Sequence, residues 1–305
     1  MPDGPSPEEA APAGEASPAE EAASGFVRPE EPYAGMDAEL SERLHLPVYD
    51  HRLDEYEGYV VSRAVDTLVV ECLADLGYEA SVNADTRMDP LTMRGFGPQR
   101  EYRRYGSTRI DIAEEHAFGL PGGDGGDPAY RIGGDADLRA GAEAAVSGQV
   151  EDVRTPSGEP LPEGGCLTWA RRQIEPGSPM PFETGEDGTP ADVPSSHMLV
   201  EDLLGESFLA AMEDPRVTAA AAAWQECMAE RVDGYHGTPT SGEGAAPEAA
   251  VPSVECKDSS GYLDAFVGAE RDVLDGLVAE HEEALTARHD RLRKNLGASL
   301  EILGW

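Results

Sequence analysis

The chain has 305 residues, with 60 acidic side chains against 23 basic ones and a formal net charge of −37. So negative a surface argues against nucleic acid or anionic lipid bound through a basic patch, and makes cationic partners the easier fit. Aromatic residues are only 6 % of the chain while Ala, Gly and Pro abound, which favours an all-α fold of Ala-rich helices and long loops over a β-sandwich.

Residues 1–31 are mostly Pro, Ala, Gly, Ser and Glu, with Arg28 as the one basic side chain. This composition cannot bury enough apolar surface to offset the entropy of ordering, and predicts a disordered acidic tether. The first periodic segment, 54–76, places Val61, Val65, Leu68, Val69, Cys72, Leu73 and Leu76 at spacings of three and four before Gly77. That is the buried stripe of an amphipathic helix with a glycine stop. The stretch 90–106 is rich in Arg, Tyr and Gly and predicts irregular chain with short helical turns; a short helix is expected over 111–118.

The Gly and Asp rich run 119–134 predicts a loop. Helices are expected over 135–150 and 167–174, and again from Ser195 to Met212. The Pro, Gly and Asp cluster 176–194 divides the helical domain, 32–303, into candidate parts 32–175 and 195–303. Asp214-Pro215 is a helix start, since Asp accepts the free amides of the first turn and Pro at the first helical position forfeits no hydrogen bond. After the Gly and Pro rich connection 233–252, Leu263, Phe266, Val273, Leu277, Leu285, Leu292, Leu296 and Leu300 approach coiled-coil spacing. They predict a long C-terminal helix over 254–303, packed as a helical hairpin, with Gly261 and Gly276 as its weak points.

Cys72, Cys166, Cys227 and Cys256 include no CxxC pair and no histidine at zinc-ligand spacing, so two disulfides are expected rather than a metal site. Glu71-Cys72-Leu73-Ala74 before Gly77-Tyr78 is echoed by Glu226-Cys227-Met228-Ala229 before Gly234-Tyr235. With a later cysteine following each, the economical pairing is Cys72 with Cys166 and Cys227 with Cys256, and two other connectivities stay open. Disulfides belong to oxidising, extracytoplasmic compartments. A cytoplasmic chain with four free thiols is the competing expectation.

Asp214-Pro215-Arg216-Val217, Trp224-Gln225-Glu226-Cys227-Met228, Val254-Glu255-Cys256-Lys257 and the helical tail, with Arg104-Tyr105-Gly106 upstream, resemble a family of uncharacterised actinobacterial secreted proteins and lipoproteins. The resemblance is firmest over 200–300 and looser over 55–175. It implies export, in many members with a lipid on an N-terminal cysteine, and assigns no activity. The given chain departs from it, because neither a lipobox nor a basic-then-apolar signal precedes the acidic segment, and no run reaches the apolar length of a membrane span.

Catalytic signatures are missing: there is no G-x-S-x-G elbow, no Walker A loop, no dinucleotide fingerprint, and no cofactor is expected. His281 and His289 are eight apart where a helical zinc pair needs four. Glu114-Glu115-His116 reads as an exposed charged turn. The loop carboxylates Asp124 and Asp127, with Asp135 and Asp137, are a weak candidate for a hydrated Ca²⁺. Trp169 and Trp224 each lie three residues from a cysteine and are expected to pack beside it, with an aromatic ligand cradle as the alternative.

Arg100, Arg103, Arg104 and Arg109, interleaved with Tyr102 and Tyr105, are the basic and aromatic island of an acidic chain. They are expected either to pair with neighbouring carboxylates or to contact an anion or glycan. The function these features favour is that of a non-enzymatic, monomeric binding or interaction protein at the cell envelope, with an envelope protein or glycan as its partner and Arg103, Arg104, Tyr105, Trp169 and Trp224 as candidate contacts. The alternative is a hydrolase using carboxylates on the loops around 111–137.

Overall fold

The computed structural model describes residues 26–83, 88–119, 128–148, 155–176, 195–241 and 246–305. Residues 1–25, most of the cluster 176–194, and Asp124 and Asp127 lie outside them. Among the described residues the fold is helical, with eleven α-helices and one two-stranded sheet.

The first helix, α1 (Ala38–Leu44), leads through a 3-10 turn, Pro47–His51, into α2 (Glu55–Asp75). A capping box starts α2: Asp54 accepts from the Glu57 amide while the Glu57 carboxylate accepts from the Asp54 amide. Gly77 ends the element at φ +84, where a Cβ would lie 2.8 Å from the Ser157 nitrogen. Only glycine meets both demands without strain. The buried stripe of α2 matches the expected one at Leu68, Val69, Cys72 and Leu73, but in the first half of the helix Val60 and Ala64 are buried while Val61 and Val65 are only partly so.

Strand β1 (Ala80–Val82) pairs antiparallel with β2 (Tyr130–Ile132) in the register Ala80↔Ile132. The sequence predicts neither strand, since three residues are too few for alternation to register. Between them lie α3 (Pro90–Phe96), a 3-10 turn at Glu101–Arg103, and α4 (Ile110–His116). Next come α5 (Ala136–Ser147) and α6 (Gly165–Ile174), then α7 (Ser195–Met212) and α8 (Pro215–Arg231), which Asp214 caps and Pro215 begins.

The C-terminal run is divided into α9 (Ala250–Ser259), α10 (Tyr262–Glu280) and α11 (Glu282–Leu303). Gly261 breaks it at φ +68, as expected, but the second break falls at His281, and Gly276 stays inside α10. The long C-terminal helix is α11, of 22 residues. Both long segments fold back on the body of the protein rather than lying along each other, α10 on α7 and α8, and α11 on α2 and α7.

Beside two small apolar clusters around Trp224 and Val254, two large ones result. One gathers Tyr49, Tyr102, Tyr105, Leu203, Leu263 and Phe266 around α10; the other gathers α2, α5 and α6. Helix α11 joins them, with Leu285 in the first and Leu296 and Leu303 in the second. Phe26, at the end of the stretch expected to hold no structure, is buried in the second cluster under the Arg63 guanidinium. A buried aromatic gains more by leaving water than one residue's ordering costs, so this end of the tether is anchored.

The disulfides are Cys72–Cys166 and Cys227–Cys256, closing loops of 94 and 29 residues. The first staples α2 to α6 and the second α8 to α9. Loop-closure entropy assigns about 4.7 kcal/mol to the wider loop and about 3.6 to the narrower. Urea unfolding of the Cys72→Ser/Cys166→Ser protein should therefore show a greater loss than that of Cys227→Ser/Cys256→Ser, by about 1 kcal/mol. Protein from its native source should present no reactive thiol before a reductant is added.

Candidate functional site

The turn that follows α3 is built on two backbone constraints. Gly97 sits at φ +80, and a Cβ there would fall 2.6 Å from the Glu101 carboxylate, which is buried and accepts from the Gln99 amide. Arg100 then adopts a left-handed φ of +61, which costs a non-glycine residue roughly 1 kcal/mol or more. Among the described residues the other non-glycine at positive φ is Ala117, at +53. The two strained positions flank Arg103, since the carbonyl of Phe118 accepts from its guanidinium at 2.9 Å.

This turn, the 3-10 turn before α2, and α7 border an open cleft of about 690 Å³. Arg52, Arg100, Arg103 and Arg104 line it on one side, and Phe96, Leu204, Phe208 and Leu209 supply apolar wall. Two of the arginines lie over aromatic rings, Arg100 over Phe96 at 5.3 Å and Arg104 over Phe208 at 5.2 Å. Such stacking holds a guanidinium plane while leaving its edge free to donate.

The four cations differ in how they are neutralised. Arg100 pairs with Glu55 at 2.9 Å. Arg104 is held by Glu270, whose side chain has no exposed surface, through a forked pair to both carboxylate oxygens. The same carboxylate accepts from the Tyr105 hydroxyl at 2.6 Å and the Ser207 hydroxyl at 3.0 Å. Burial and the neighbouring Glu270 charge push the Tyr105 phenol well above its ordinary value, so it stays a donor. Arg52 and Arg103, by contrast, form no ion pair among the described residues.

Arg103 also meets a second cation. Its guanidinium donates to the Ser107 hydroxyl at 3.1 Å, while the Lys257 ammonium, 1 % exposed, donates to the Ser107 carbonyl at 2.6 Å. Burial, then the charge of Arg103, lower Lys257 to about 7. The approach requires Gly106 at φ +79, because a Cβ there would sit 2.5 Å from the Pro239 carbonyl and 2.9 Å from the Lys257 nitrogen. The three residues of Arg104-Tyr105-Gly106 thus differ in what they supply: Arg104 gives Glu270 a cation, Tyr105 gives it a hydroxyl, and Gly106 leaves room for Lys257.

The sequence-predicted residues fall into separate places. Arg103 and Arg104 line the cleft, and Tyr105 lies fully buried behind it. Arg109 pairs with Asp111 at the edge of a different depression. Intramolecular pairing therefore accounts for Arg100, Arg104 and Arg109, with Arg103 as the exception. Trp224 is buried beside Cys256, its indole N–H donating to the Ser253 carbonyl at 3.0 Å, and Trp169 packs half-buried in the second cluster. Neither reaches the cleft.

Asp135 caps α5, accepting from the Asp137 and Leu138 amides, and no cluster of metal-ligating side chains occurs among the described residues. Asp111 and Glu115, from the loop-carboxylate alternative, are engaged by Arg94. As site residues, Arg52, Phe208, Leu209, Lys257 and Glu270 escaped sequence reasoning, which placed Phe208 and Leu209 only on a helix stripe and Lys257 only in the motif after Cys256. Glu270 carried a signal, for it stands four residues after Phe266 and four before Leu274 on an otherwise apolar stripe.

Fold and cleft together define a disulfide-stapled all-α protein with an arginine-lined, aromatic-walled groove. Comparison with known proteins finds no family model, no curated protein and no solved structure that matches the chain.

Two substitutions probe the charges behind the cleft. Arg104→Met leaves the Glu270 carboxylate buried without its cation and should cost about 3–5 kcal/mol in urea unfolding, most of it recovered in Arg104→Met/Glu270→Leu. Lys257 is protonated in both folded and unfolded chains below about 7, but only in the unfolded chain from there to the ordinary value of 10.5. Its contribution to stability must therefore rise with pH through that window. The stability difference between the unaltered protein and Lys257→Met should shift in favour of lysine as pH climbs from about 7 toward 10; a difference that stays constant would contradict the assignment.

Proposed function

We propose that this chain is a non-enzymatic binding protein of an oxidising, extracytoplasmic compartment, and that its arginine cleft receives the anionic group of the ligand. The observation that carries this reading is a pair of cations, Arg52 and Arg103, that face one cleft without a carboxylate partner among the described residues. In a chain with 60 acidic residues, counter-ions are abundant. Neither of these two arginines that line one cleft takes a carboxylate among the described residues, which leaves their charge for a ligand to neutralise.

Further support comes from the strained Arg100, held at φ +61 on the same rim. A glycine would occupy that position without strain, whereas the arginine there lines the cleft, stacked on Phe96 and paired with Glu55. The two disulfides favour an oxidising location, as does the resemblance to exported actinobacterial proteins. No helix among the described residues is long and apolar enough to cross a membrane.

The reading is tested by titrating acetate into the intact protein and following the arginine Nε–Hε signals by NMR. The signals of Arg52 and Arg103 should move and saturate, and Arg52→Gln should weaken the response of Arg103 by about tenfold, the worth of one charge-assisted hydrogen bond. Movement no greater than that of Arg28 or Arg139, away from the cleft, would overturn the assignment.

A further inference from the structure

Three of the seven large apolar side chains exposed among the described residues belong to α7: Met198, Leu209 and Met212. Leu209, at 67 % exposure, is also a wall of the arginine cleft, and Met212, at 52 %, stands one turn beyond it. The opposite face of α7, with Val200, Leu203, Ser207 and Ala211, is buried against its neighbours. The outer face of α7 is mixed: Met198, Gly205, Leu209 and Met212 form a narrow apolar stripe flanked by the exposed carboxylates of Glu201, Asp202 and Glu206, and Leu209 carries the stripe into the wall of the cleft.

We propose that the ligand of this cleft is a free anionic amphiphile, with one oxyanion headgroup held by Arg52 and Arg103 and an apolar body lying along α7 over Gly205, Leu209 and Met212. This rests on the anion-binding reading and adds the chemical class of the ligand.

Gly205 supports the placement. It lines the cleft in mid-helix, and a Cβ built on it would meet nothing within 4 Å. No packing requires the glycine, so its effect is to leave the surface between headgroup and track open. From Gly205 to Met212 the helix rises about 10 Å, which sets the length of apolar body that the track covers.

Electrostatics choose among anions. A polyanion, an acidic protein or an anionic bilayer must bring many negative charges against a chain of net charge −37, whereas a single headgroup brings one to a locally cationic cleft. The apolar wall then has a purpose that a small inorganic ion would not use, because such an ion gains nothing from Phe96, Phe208 or Leu209.

The test is calorimetric titration of the intact protein with decanoate and decyl phosphate, beside acetate and decanol as the two halves of the amphiphile. Decanoate should bind at least about tenfold more tightly than acetate, the effect of burying fewer than two methylenes. Leu209→Ser, at an exposed position, should weaken decanoate about tenfold or more and leave acetate unchanged. Gly205→Phe, which fills open space and raises helix propensity, should abolish decanoate binding while the helical circular dichroism persists.

Decyl phosphate binding alongside decanoate supports an oxyanion site of broad headgroup tolerance; decyl phosphate alone narrows it to phosphate and still upholds the amphiphile. Acetate binding as tightly as decanoate, with Leu209→Ser without effect, overturns the amphiphile and leaves the anion site standing. If no probe binds, both readings fall. Co-sedimentation with phosphatidylglycerol vesicles in the absence of decanoate binding overturns the free ligand in favour of a membrane surface.

Discussion

A carboxylate with no access to water must find cations and donors within the protein or remain protonated. Glu270 finds Arg104, Tyr105 and Ser207, from the turn after α3 and from α7. Three donors from two segments far apart in the chain converge on one group in the middle of α10. Their separations, 166, 165 and 63 residues, mean that this contact sets how the N-terminal turn and α7 sit on α10. The cleft lies between those segments, so its width and the orientation of Arg104 follow from the satisfaction of Glu270.

The disulfides act on a different scale. Cys72–Cys166 and Cys227–Cys256 each join two helices that already touch, and they restrict the unfolded chain more than they shape the folded one. A chain with six phenylalanines and three tryptophans has few large side chains with which to outweigh its conformational entropy. Crosslinks compensate where aromatic packing is thin. Helix α11 supplies the remaining continuity, since its two ends enter different apolar clusters.

Positive charge at the cleft is local in a molecule that is negative elsewhere, and two kinds of strain accompany it. Arg100 and Ala117 hold backbone conformations that glycine would adopt freely, and Arg103 and Lys257 share Ser107 as an acceptor while repelling each other. The lowered Lys257 relieves part of that repulsion by giving up its proton near neutrality. Strain of this sort persists when surrounding contacts over-determine it, as the fixed approach of Gly106 to Pro239 and Lys257 does here.

Local rules made the helices legible. The three-and-four spacing of α2, the Asp214-Pro215 start of α8 and the Gly261 break are each decided within a few residues, and the echo around Cys72 and Cys227 pointed to the observed pairing among three connectivities. The break at His281 was not legible, because no residue there forbids helix; α10 and α11 on either side of it pack mainly on different helices. Composition and spacing also isolated the arginine and tyrosine island, but could not sort its members. Which arginine pairs depends on where Glu55 and Glu270 arrive, and which wall faces Arg103 depends on α7. By itself the sequence determined that the chain is helical and acidic with one basic stretch, and favoured two disulfides over free thiols. The tertiary structure alone decided which of the cleft's cations take no carboxylate, since ion pairing is a matter of distance in space and not of order along the chain.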